Sequence, residues 1–164
     1  MHIYDDMTQA SSVDFLRRLK LASPIKISKI LTDKGSQFTD RFATKDKKPS
    51  GKHTFNVVCA VLHAEHRLVP LRHPQTNGMV ERFNGRINEL LQQTRFDSRA
   101  DLWATLLNYL KLYNHHIPKR AIGSKTPILP LKEWQQKRPE LFVKRVYDRT
   151  GLDTSGLALF LFID

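Results

Sequence analysis

Arg72-His73-Pro74-Gln75-Thr76-Asn77-Gly78-Met79-Val80-Glu81-Arg82-Phe83-Asn84 is a polar, turn-rich stretch that runs into a helical pattern. Pro74 biases His73 towards extended backbone and Asn77-Gly78 turns readily, so the residues up to Gly78 read as a loop. From Val80 the apolar residues Val80, Phe83, Ile87, Leu90 and Leu91 recur at helical spacing. Glu81 then stands at the mouth of that helix, about 100° round from Val80, on the shoulder of the apolar stripe. The helix dipole favours an acid in a first turn by about 0.3–1 kcal/mol, so helix chemistry alone makes Glu81 structural.

Working back from that stretch, His66-Arg67-Leu68-Val69 reads as a short strand, and His53 to His63 as a helix with Phe55, Val58, Cys59 and Leu62 on one face. Arg41 to Lys52 holds Arg41, Lys45, Lys47, Lys48 and Lys52 with one acid, Asp46, and Pro49-Ser50-Gly51, which together make a basic loop. Ile25 to Leu31 reads as a strand that delivers Thr32-Asp33-Lys34-Gly35 at its carboxyl end. That end of an open α/β sheet is where ligands are commonly held, although Asp-Lys-Gly is also an ordinary turn. Before it, Met1 to Tyr4 reads as the end of a strand and Asp5 to Thr8 as the turn into a helix. That helix carries Val13, Leu16, Leu19 and Phe15 inwards. Strands alternating with helices make the expected fold class α/β.

Forward from Arg95, Ala100 to about Asn114 has a broad apolar face of Leu102, Trp103, Leu106, Leu107, Leu110 and Tyr113, with Asp97 or Ser98 as the N-cap. Thr126 to Pro130 reads as an extended connector to a short helix over 131–137. The apolar run 157–163 is too short to span a bilayer, and no secretion signal stands at the N-terminus. The expected organisation is a core over 1–116, a connector with a short helix over 117–150, and a tail over 151–164.

The 164 residues carry 27 Lys plus Arg against 16 Asp plus Glu, a net charge of +11, which suits a polyanionic partner and argues against an acidic one. Cys59 is the single cysteine and lies among Val57, Val58, Ala60 and Val61, which suggests a buried thiol in a reducing compartment. His63, His66 and His73 lack the spacing and the cysteine partners of a zinc site. His115 and His116, at a helix end, suit the dipole there.

Two stretches in order, Leu31-Thr32-Asp33-Lys34-Gly35-Ser36-Gln37-Phe38 and His73 to Asn84, resemble the integrase-core transposases of bacterial insertion sequences, relatives of retroviral integrases. The resemblance runs from about Met1 to Trp134 and takes in Asn114-His115-His116 and Thr126-Pro127. It implies a ribonuclease-H-like integrase core in which two Asp and one Glu hold divalent metal, Mg²⁺ or Mn²⁺, for DNA strand transfer. Asp33 matches the second Asp and Glu81 the Glu, which makes both catalytic and metal-ligating residues. The 47 residues between them exceed the family's usual separation, and the basic loop is the natural place for the excess. Arg72, His73, Gln75, Asn77, Arg82 and Arg86 are implied on the DNA side.

Two features depart from the family. Lys34 stands where Asn is usual, and no residue here matches the first Asp. Asp5 and Asp6 fall only 28 and 27 positions before Asp33, at a place that follows the family's third strand. The family's opening strands and its helix-turn-helix are also unmatched. The resemblance therefore implies an N-terminally truncated transposase, a cytoplasmic, nucleoid-associated protein that binds DNA and is inactive alone. Its partners would be element-end and target DNA, with a homo-oligomer or a mixed assembly with intact transposase. The alternative is a non-catalytic DNA-binding module that modulates an intact transposase.

Overall fold

The computed structural model of the chain describes residues 2–41, 48–69 and 74–147, with the backbone alone for 74–77, 79 and 80. These residues form two units, His2–Thr76 and Asn77 onward, and the division falls inside a long helix.

The first unit begins with α1, Gln9–Ala22. Thr8 caps it, accepting from the Ser11 backbone N–H at 3.2 Å. Asp6 reinforces the cap by accepting from the Thr8 backbone and hydroxyl at 3.1 and 2.8 Å and from the Ser11 hydroxyl. Such a cap satisfies N–H groups that a helix start leaves orphaned, and is worth about 1 kcal/mol. The same bonds, that from Ser11 foremost, hold the Asp6 carboxyl below its usual range. Asp6 is thus committed to a helix start.

Residues 2–4 are not a strand, contrary to the sequence expectation. Tyr4 instead lies against α1, donating its hydroxyl to Asp14 Oδ2 at 2.7 Å and meeting the edge of Phe15 at 6.5 Å between centroids. Phe15 accordingly stays 40% exposed, whereas Val13 and Leu16 are buried.

β1, Lys29–Thr32, pairs in parallel with β2, Glu65–Leu68, in the register Lys29 to Glu65 and Thr32 to Leu68. Parallel strands need a long crossover, and α2, Thr54–Val61, lies within it. Val13 and Leu16 of α1 bury with Phe55 and Cys59 of α2, and Ile30, Phe38, Val58 and Leu62 pack around them. Each such side chain contributes about 1.5–3 kcal/mol on burial. Cys59 is a core thiol as expected, and burial pushes its pKa up to about 11, which makes it unreactive.

The long helix α3 is Pro74–Gln93, and α4 is Arg99–His115, capped by Ser98 accepting from the Asp101 N–H. Phe83, Leu106 and Leu110 are the buried apolar residues of the second unit. After α4 a short antiparallel bridge, Lys119 to Lys125, frames a 3₁₀ turn at Arg120–Ile122. Gly123 in the left-handed region, φ 70°, closes that turn where a Cβ would be strained. α5, Ile128–Lys137, starts three residues before the expected helix. Pro130 falls in its first turn, where the missing N–H costs nothing, so the last three residues of the expected extended connector are helical instead.

Candidate metal ligands and nucleic-acid interface

Asp33 is exposed and follows directly on the carboxyl end of β1. Its Oδ1 accepts from the Gly35 N–H at 2.8 Å, an Asx turn that orients the carboxylate. The Gly35 carbonyl accepts in turn from Phe38 and Thr39, and Phe38 meets the edge of Phe55 at 5.0 Å, so the loop behind Asp33 is tied to the core.

The other side of that strand end carries a histidine to which the sequence assigns no role beyond its place in a strand. His66 of β2 is half-buried, with Nε2 at 2.8 Å from Thr32 Oγ1 and Nδ1 against Asn56 Oδ1. Thr32 Oγ1 also lies 3.0 Å from the Asp33 carbonyl. Burial, helped by the nearby charge of His53, lowers the His66 pKa. Burial thus favours the neutral form of the imidazole that stands directly behind the Asp33 loop. A threonine and a histidine set diagonally on neighbouring strands, His66 being paired with Ile30 and Thr32 with Leu68, are the only signal that could have suggested it.

Glu81 lies two turns inside α3, not at its mouth, because the helix begins at Pro74 and runs straight through Asn77-Gly78. Proline suits a first turn, and one helical glycine costs only about 1 kcal/mol, less than breaking a 20-residue helix would. The dipole argument for a merely structural Glu81 lapses with this placement, since the effect fades beyond the first turn. Glu81 is exposed, as are Arg82 and Arg86, while Phe83 beside them is buried.

Arg72 and His73 lie outside the described residues, and Gln75 and Asn77 contribute helical backbone only. Asp33 and Glu81 belong to different units. Among the described residues no group of three or more His, Cys, Asp and Glu gathers as a metal site would. The chemistry of the two carboxylates nevertheless suits a hard divalent cation, which takes oxygen ligands and binds through one or two carboxylates with water and phosphate filling the rest. No helix among the described residues is long and apolar enough to cross a membrane.

Sequence comparison adds two matches. Residues 62–127 match the family described as integrase core domain, a segment that contains Glu81, Arg82 and Arg86 but not Asp33. Over 131 residues the chain is 25% identical to a protein of Spiroplasma virus SpV1-C74 named "Putative integrase ORF3", covering 77% of this chain and 36% of that protein. The chain thus spans about a third of the length of this curated relative. The small parallel sheet and its helices are consistent with the α/β architecture of such a core. The integrase core match and the viral relative point the same way, and the chain is similar to integrase core proteins.

Proposed function

We propose that the chain is the DNA-binding, metal-holding part of a DDE-type strand-transfer core of ribonuclease-H-like design, and that these 164 residues bind DNA without joining it. The observation that carries the reading is the placement of Glu81, exposed in mid-helix inside the integrase core match, where no helix-end role explains it. Asp33 supports it, since the Gly35 N–H fixes its Oδ1 and we assign Oδ2 to the cation.

Asp33 and Glu81 are each suited to ligating Mg²⁺ or Mn²⁺, which would supply polarisation of phosphate oxygens when bound. The chain's own part is to present two acids of the family's three and to hold the phosphate backbone. The net charge of +11 favours that second task, with Arg82 and Arg86 positioning phosphates without reading sequence. A non-catalytic module acting on an intact transposase in a mixed assembly shares the binding surface but needs no metal.

Titration of Mn²⁺ followed by electron paramagnetic resonance, with duplex DNA present, separates these readings. Asp33→Asn and Glu81→Gln are each expected to weaken Mn²⁺ binding by tenfold or more, about 1.4 kcal/mol or above. Equal Mn²⁺ affinity in both variants would leave only the non-catalytic module, and joining of element-end DNA by the unaltered chain would contradict the inactivity.

A further inference from the structure

The second unit brings two rings and three cations together, joining Arg82 and Phe83 of the motif that named Glu81 to Arg86, Tyr113 and Lys119 beyond it. Phe83 of α3 meets the edge of Tyr113 of α4, with centroids 5.2 Å apart and planes at 84°. The Lys119 Nζ stands over the Tyr113 ring, 3.6 Å from its centroid. Arg82 and Arg86 are one turn apart on the exposed side of α3, flanking Phe83. Their fields reach the pair. Burial raises the Tyr113 pKa while Arg86 and Arg82 oppose the rise, and burial with Arg86 lowers that of Lys119.

Lys119 is also fixed at its backbone. Its N–H donates to the Lys125 carbonyl at 2.9 Å, and its own carbonyl accepts from Ser124 and Ile122 at 2.9 and 3.2 Å. Its bridge partner differs from it in one respect: Lys125 Nζ is paired with Glu133 at 2.6 Å, whereas Lys119 is turned onto an aromatic face. A cation over a ring keeps its charge available to a third group, and a partly dehydrated ammonium attracts an anion more strongly than a fully hydrated one. Three like charges held around two rings repel one another until an anion arrives.

We propose that Lys119, seated on Tyr113 beside Arg86 and Arg82, forms with them a cradle for adjacent backbone phosphates of nucleic acid. The cradle rests on the DNA-binding reading above and adds to it a residue from after α4, beyond the residues between Arg72 and Arg86 that the family resemblance implies on the DNA side. Tyr113 acts as a positioning residue that holds the ammonium in place.

The test is anisotropy of a labelled duplex with the full chain between about 50 and 200 mM salt, with melting curves as a fold check. Lys119→Gln should flatten the slope of log affinity against log salt by about 0.9, so its affinity deficit shrinks about 3.5-fold across that range. Arg86→Gln, an exposed site on α3, should do the same, while Lys119→Arg keeps the native slope. Lys26→Gln removes the same charge from an exposed site in the other unit and should change nothing. Native affinity and slope in Lys119→Gln and Arg86→Gln, or an equal loss in Lys26→Gln, would overturn the cradle and leave DNA binding standing. An unaltered chain that ignores the duplex at the lowest salt would overturn both.

Discussion

His66 shows how a single residue ties stability to the candidate site. Its ring fills the space between Asn56, Thr32 and the Phe55 edge at 4.9 Å, and burial holds its pKa below the ordinary value of 6.5. A histidine with a lowered folded pKa binds fewer protons folded than unfolded in the window below 6.5. Its contribution is therefore fully present above that value and is lost as pH falls through it. The unaltered chain should lose melting temperature between about pH 7 and pH 5, and His66→Gln should flatten that dependence. An unchanged slope in the variant would place the acid sensitivity elsewhere. This network was illegible in the sequence because it joins residues 34 and 10 positions apart through strand pairing and helix packing, neither of which leaves a local pattern. Asp33, by contrast, was legible because the strand that delivers it and the turn that orients it are both local.

At the scale of elements, α3 is where sequence and structure part. Asn77-Gly78 looks like a turn, yet the helix from Pro74 to Gln93 includes it, because local turn preference is weaker than the cooperativity of a long helix. Gly85, on the same exposed face as Glu81, is a second helical glycine, and a Cβ there meets no atom within 4 Å. Gly85→Ala should therefore stabilise the chain by about 0.5–1 kcal/mol, read as a raised urea midpoint. A lowered midpoint would mean that this face is covered. The apolar periodicities of α1, α2 and α4 are legible, Phe15 apart, because their buried sets, Val13 with Leu16, Phe55 with Cys59 and Leu106 with Leu110, follow helical spacing closely. Tyr4 escaped that reading, since a tyrosine in an extended run looks like a strand until a partner such as Asp14 takes its hydroxyl.

For the whole molecule, charge and the integrase core match point to one partner class. The charge was legible from composition alone, but the seat of Lys119 on Tyr113 was not, because the end of α4 at His115 and Pro118 separate them. On the proposal above, Arg82, Arg86 and Lys119 would together make at least three phosphate contacts, each releasing counterion on binding. The measurement that tests this most directly is binding of the 164-residue chain to a duplex of arbitrary sequence as salt is raised from about 50 mM. The account predicts tight retention at low salt and a linear fall of log affinity with log salt, of slope about −2.7 or steeper. No retention at low salt, or an affinity indifferent to salt, would contradict it.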